Sequence, residues 1–214
     1  MSIPAFDLYL FDIDGTLVDS ADDICGAVRD TLAEAGATGL TEEFLRRYIG
    51  YHLNELFADV FPGIAPERSA ELLSDYRRRY PLRGHRSTRV YDGVEETLAA
   101  LSTLGARKST ATTKGSETAR LVLEQFELAR YFDHVQGTDG FPCKPEPDVI
   151  VKSLERFAVA PERCLMIGDA PPDLAAGRRA GVKTCAVSWG YGDPALMRAE
   201  QPDYWIDTIA DLRP

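Results

Sequence analysis

The run Leu8-Tyr9-Leu10-Phe11 carries β-favouring apolar side chains without a break into Asp12-Ile13-Asp14-Gly15-Thr16. Such a run predicts a buried strand that delivers two carboxylates to its carboxyl end. In an open parallel sheet, that end faces the crevice where ligands bind. Gly15 gives the backbone freedom for a tight exit. Two acids one residue apart can hold a hard cation and leave an oxygen free to react. The same residues would also make a solvated turn, since Asp and Gly are common turn formers; the rest of the chain has to decide. A calcium-binding helix-loop-helix is excluded, because its loop needs Gly at the sixth position and Glu at the twelfth. Counting from Asp12, Gly15 is fourth and Asp23 is twelfth.

Composition narrows the classes. At 214 residues the chain can bury a real core, as one domain or two small ones. A formal net charge of -10 argues against nucleic acid or anionic membranes as partners, yet leaves an anionic small substrate open. Cys25, Cys143, Cys164 and Cys185 are widely spaced with no CxxC pair, which predicts reduced thiols in a reducing, cytoplasmic setting. No apolar stretch approaches the ~18 residues of a membrane span. A soluble monomer or homodimer is expected.

Past Ser20 the pattern becomes helical. Ile24, Val28, Leu32 and Ala35 line one face of a helix with acids at its start and Gly36 at its end. Thr41 caps a second helix, and further helical runs cover about 53–61 and 66–80. From Tyr91 onward strands and helices alternate: helix 93–104, a weak strand 107–112, helix 115–126, a strand at 131–137, helix 147–157, a buried strand 164–169, helix 173–180, and strands 182–187 and 203–206. Repeated βα units predict an α/β fold with a doubly wound, Rossmann-like parallel sheet. The expected division is a core of residues 1–19 and 87–214, with 20–86 as an inserted all-helical cap.

Several predicted strand ends carry polar groups: Asp12 and Asp14, Thr112 and Thr113, and Asp169 with Asp173 four residues on. Lys144 stands in the proline-bracketed loop Pro142-Cys143-Lys144-Pro145-Glu146-Pro147. Each is ambiguous alone. Lys144 could be a surface lysine, Thr112 a helix cap, and the Asp169/Asp173 pair a turn with a helix N-terminal acid. Together they make an inventory for phosphoryl chemistry, with acids for Mg²⁺, a Lys and Thr for phosphate oxygens, and one Asp to attack phosphorus.

In this order, Asp12-Ile13-Asp14-Gly15-Thr16, Thr112, Lys144 and Gly168-Asp169-x-x-x-Asp173 resemble the four motifs of the haloacid dehalogenase-like (HAD) hydrolases. The helical insertion after the first motif resembles the C1-type cap, and the nearest type is phosphoglycolate phosphatase-like. The resemblance spans essentially the whole chain. It implies Asp12 as nucleophile and Asp14 as general acid/base, with Thr112, Thr113 and Lys144 on the transferring phosphoryl group. It also implies an Mg²⁺ site of Asp12, Asp169 and the backbone carbonyl of Asp14, supported by Asp173. Family dehalogenases and phosphonatases lack an acid at the Asp14 position, so its presence points to phosphate esters. The sequence departs from the pattern where Thr113 replaces the usual Asn, where Ala170-Pro171-Pro172 replaces a more polar run, and at Asp92.

The expectation is therefore an Mg²⁺-dependent phosphatase acting on a small phosphorylated metabolite, with a phosphoglycolate-like ester favoured. A sugar phosphomutase of the β-phosphoglucomutase type shares the same motifs, and a catalytically silent binding module is the non-enzyme alternative. In the cap, Arg77, Arg78, Arg79, Arg83, Arg86 and Arg89 could read a second anion, or could form a solvated face paired with Glu67 and Glu71. Tyr48-Ile49-Gly50-Tyr51-His52 is a further candidate for the surface over the site.

Overall fold

The computed structural model describes residues 3–213. Its first half runs β1 (Leu8–Phe11), β2 (Val18–Asp19), α1 (Ala21–Glu34), α2 (Glu42–Arg46), α3 (Leu53–Val60), α4 (Pro66–Leu82) and β3 (Arg89–Val90). It continues through α5 (Val94–Thr103), β4 (Arg107–Thr110), α6 (Ser116–Gln125), α7 (Asp148–Phe157) and β5 (Cys164–Gly168). The chain closes with α8 (Pro171–Ala180), β6 (Lys183–Val187), α9 (Pro194–Ala199) and β7 (Tyr204–Ile206).

Five strands form one sheet in the order β4-β1-β5-β6-β7, and every neighbouring pair is parallel. The alternation of side chains along β1 splits the core between the two faces. Tyr9 and Phe11 pack with Val94, Leu98 and Leu101 of α5 and Val122 and Leu123 of α6. Leu8 and Leu10 pack with Val149, Ile150 and Leu154 of α7 and Ala176 of α8. Helices therefore cover both faces of a parallel sheet, the Rossmann-like, doubly wound arrangement. After β1 the chain goes to β4 on one side and later to β5 on the other, so the crevice at the carboxyl ends opens beside β1.

Helices α1–α4 have an apolar cluster of their own, built on Leu32, Leu45, Leu56, Phe57 and Leu72. Thr41 caps α2 as expected, its hydroxyl accepting from Phe44 N at 3.1 Å. The chain enters and leaves this block through β2 and β3, which pair antiparallel as Val18↔Val90 and Asp19↔Arg89. Buried Asp23 reinforces that neck: its Oδ2 accepts from Ser87 N (2.9 Å) and Thr88 Oγ1 (2.8 Å).

One expectation needs correction, and one feature was not expected. The stretch 131–137 is not a strand: Ala129–Tyr131 is a 3₁₀ turn, and only His134 bridges to Ser109. Beyond one backbone bond, Asp133 N to Lys108 O (2.9 Å), side chains occupy the ladder positions there. Asp133 accepts from Lys108 N (2.9 Å), and Thr110 Oγ1 bonds both Gln136 N (2.8 Å) and Gln136 O (2.9 Å). The buried polar side chains of β4 all have partners: Thr110 Oγ1 in those bonds, Lys108 Nζ on Ala106 O (3.0 Å) and Ser109 Oγ on Thr110 O (3.3 Å). The pairing of β2 with β3 is the second difference, since two residues leave no period to read.

Phe57 is fully buried in the helical block. Phe57→Ala should lower stability by about 3–5 kcal/mol, read from the urea midpoint; a loss below about 1 kcal/mol would contradict a separate packed core in this block.

Candidate active site

Asp12 follows directly on β1, and its N–H donates to Ile167 O of β5 at 2.9 Å, so the sheet itself aims the side chain. The chain then turns tightly: Leu17 N and Val18 N both donate to Ile13 O (2.9 and 3.1 Å), and Gly15 N to Val18 O (2.8 Å). Gly15 has φ +82°, and a Cβ there would run into the Asp169 carboxylate. Glycine is thus required both by backbone and by space. No hydrogen bond among the described residues ends on the Asp14 carbonyl oxygen.

Asp169 stands at the end of β5 and Asp173 in the first turn of α8. Carboxylate oxygens of Asp12, Asp169 and Asp173 lie within 4.8 Å of one another, all buried. One cation meets two of them. Lys144 Nζ, with no exposed surface, donates to Asp12 Oδ1 (2.8 Å), to Ala111 O (2.7 Å) and to Asp173 Oδ1. Burial opposes the ammonium, but Asp12 and Asp173 overcome that and raise its pKa. Burial pushes Asp12 up to about 7 against the pull of Lys144, with Asp173 and Asp14 adding to the rise. Asp169 is raised too, by burial and then by Asp173 and Asp12, although Tyr191 N (2.8 Å) and Thr16 Oγ1 (3.1 Å) donate to it.

This is an all-oxygen donor set with more negative charge than one ammonium balances. It suits a hard divalent cation such as Mg²⁺. The Asp14 carboxylate is not in that cluster. Ser20 Oγ donates to its Oδ1 (2.5 Å), and Lys114 Nζ pairs with its Oδ2 (2.8 Å). Thr112 is buried, with its hydroxyl accepting from Lys114 N at 3.3 Å, while Thr113 lines a cavity that opens beside Asp14 under the helical block. The departure at Ala170 is compensated locally. Asp173 Oδ2 accepts from Ala170 N (3.0 Å), and Pro171 and Pro172 occupy the first turn of α8, where no N–H is needed. Ala170 also faces Gly50 of the helical block, where any Cβ would collide with its own.

Of the arginines, Arg78, Arg79 and Arg83 pair with Asp75, Glu34 and Asp30, so they serve the block rather than the crevice. Arg77 and His52 do line the cavity.

Sequence reasoning missed Lys114 and Tyr191. A lysine just before α6 sets a positive charge at a helix N-terminus, against the helix dipole, and that is the one local sign of its role. Tyr191 donates its N–H to Asp169, while its hydroxyl accepts from Ser20 N (2.7 Å) and Ala21 N (3.1 Å) and donates to Asp19 (2.7 Å). Its flanking glycines were the available signal. A Cβ at Gly190 or Gly192 would strike Asp169.

Lys144→Met would leave two buried carboxylates facing each other without their cation. The expected loss is about 3–5 kcal/mol in urea unfolding with chelator present. An unchanged midpoint would mean that this ammonium is not their counter-charge.

Comparison with known proteins agrees with the architecture. The family model described as haloacid dehalogenase-like hydrolase matches residues 9–187. A phosphoglycolate phosphatase of Aquifex aeolicus is 34% identical over 204 residues, covering 95% of this chain and 93% of that protein. A 5′-nucleotidase of Pseudomonas aeruginosa is 33% identical over 205 residues, covering 95% and 92%. Among solved structures, a haloacid dehalogenase-like family hydrolase from Streptococcus pneumoniae superposes with TM-score 0.87 at 28% identity, covering 97% of this chain and 96% of that one. By family match, by identity over nearly its whole length and by fold, the chain belongs to the haloacid dehalogenase-like hydrolases and is one of their phosphatases.

Proposed function

We propose that the protein hydrolyses a small-molecule phosphate monoester with Mg²⁺, through a phosphoryl group carried transiently on Asp12. The observation that carries this reading is the convergence of Asp12, Asp169, Asp173 and Lys144 in one buried cluster at the carboxyl ends of β1 and β5. Asp12, Asp169 and the Asp14 carbonyl would hold the ion, with Asp173 supporting them. When bound, Mg²⁺ offsets the negative charge of the phosphoryl group and of the acids around it.

In the first step an Asp12 oxygen forms a bond to phosphorus, the ester P–O bond breaks, and Asp14 gives its proton to the leaving oxygen. In the second, Asp14 takes a proton from water, the water oxygen bonds to phosphorus, and the bond to Asp12 breaks to release inorganic phosphate. Lys144, fixed against Asp12 and Asp173, supplies positive charge where an anion attacks an anion. The Thr112 and Thr113 hydroxyls would orient the phosphoryl oxygens. Ser20 and Lys114 hold Asp14 in place from two sides. Three of the four cysteines are buried and all are free, which favours a reducing, cytoplasmic setting.

The relatives named above differ in what their names say they cleave, a two-carbon ester in one and nucleotides in the other. The leaving group is therefore a separate question from the chemistry. A panel of phosphate esters should release phosphate with Mg²⁺ and stop with chelator. Asp12→Asn should retain the fold by circular dichroism and lose at least about three orders of magnitude in kcat. Isomerised product without net phosphate release would replace hydrolysis by phosphate return to the substrate, and a rate surviving in Asp12→Asn would remove its role as nucleophile. Asp14→Asn should still form the phosphoryl-enzyme from esters with good leaving groups, while its hydrolysis stalls in a single-turnover assay.

A further inference from the structure

Between the helical block and the sheet lies a cavity of about 330 Å³ that begins at Asp14. Three properties bear on the alcohol half of the ester. The first is size. This volume falls in the range of roughly 300–1,000 Å³ typical of sites that enclose ring-containing organic molecules. A two-carbon leaving group would leave most of it unfilled.

The second is that its two walls differ in character. The block contributes Ile49, Tyr51, Leu73, Tyr76 and Tyr80, an apolar and aromatic wall. Tyr76 and Tyr80 stack with ring centroids 5.6 Å apart and planes 20° apart. The Tyr80 phenol oxygen is buried and has no hydrogen-bond partner among the described residues. Facing them, the core contributes Thr113, Thr118, Thr138, Glu117 and Asp139. A planar ligand with an apolar face and polar edges matches both walls, with the ring against Tyr76, which Tyr80 backs, and the edges toward the hydroxyls.

The third is charge. Lys114 is the less exposed of the two cations lining the cavity, and Asp14 already neutralises it at 2.8 Å while the Tyr80 ring covers its ammonium at 4.3 Å. Arg77 is exposed. With Asp14, Glu117 and Asp139 counted, three carboxylates face two cations. A carboxylate or second phosphate on the leaving group would thus enter without a free buried counter-charge, whereas an uncharged alcohol would not need one.

We propose that the leaving group is an uncharged nucleoside, so that nucleoside 5′-monophosphates are the substrate class and Tyr76 is a residue that selects them. This rests on the phosphatase reading above and adds the identity of the alcohol to it.

The test compares kcat/KM with Mg²⁺ for adenosine and uridine 5′-monophosphates, 2-phosphoglycolate and glucose 6-phosphate, by phosphate release. Nucleotides should lead the other two esters on the order of tenfold or more, as one aromatic stack allows. Tyr76→Ala should cut the nucleotide-to-phosphoglycolate ratio by about as much, and Tyr76→Phe should restore it. The ratio is taken on one preparation, so partial unfolding of a variant cancels. Free adenosine should inhibit competitively where glycolate does not. If esters are cleaved but phosphoglycolate or the sugar phosphate leads, or if the ratio survives in Tyr76→Ala, the nucleoside assignment is overturned and the phosphatase reading stands. If no ester in the panel is cleaved, both fall.

Discussion

Everything at the crevice depends on one ammonium. Lys144 is sealed from solvent between Asp12, Asp173 and the Ala111 carbonyl, and it satisfies all three at once. Buried carboxylates repel one another strongly and lose their hydration, so three of them cannot share a site without opposing charge. The fold meets this by bringing elements far apart in sequence to one point: β1, β4, the loop before α7, and the β5–α8 junction. Three carboxylates against one ammonium leave the cluster net negative, and a divalent ion would complement it.

A second layer of contacts ties this cluster to the helical block. Asp169 accepts from Tyr191 N, Tyr191 Oη accepts from Ser20 N, and Ser20 Oγ donates to Asp14. Three loops thereby fix one another's position through hydrogen bonds. Lys114 makes the opposite kind of link, joining Asp14 of the core to the ring of Tyr80 in α4. The acid that would shuttle protons is thus held partly by residues outside the sheet. Its orientation depends on where the helical block sits.

Much of this was legible in the sequence, and the exceptions have physical causes. β1 and β5 are continuous apolar runs because both faces of the sheet are covered, and the acids follow at once. β4 hides because Lys108, Ser109 and Thr110 are polar, yet each has a partner: Thr110 Oγ1 bonds Gln136, Lys108 Nζ the Ala106 carbonyl and Ser109 Oγ the Thr110 carbonyl. At 131–137 the ladder is cut to one backbone bond, Asp133 N to Lys108 O, and one bridge, with the side chains of Asp133 and Thr110 adding further bonds. Asp12, Asp169 and Lys144 converge as their motifs implied, but Asp14 turns its carboxylate away toward Lys114, a lysine one hundred positions distant. Periodicity cannot report a contact of that kind. Tyr191 escaped for a related reason: its two glycines reveal crowding only once Asp169 is in place.

The pairing of Val18 with Val90 and of Asp19 with Arg89 has an evolutionary consequence. The chain leaves the sheet and comes back at adjacent points, so the span to be bridged is the same whatever lies between. Lengthening or exchanging that excursion costs the sheet only the slowly growing entropy of a larger closed loop. Rebuilding the excursion would change what faces the crevice, while the acids at the strand ends would keep their places.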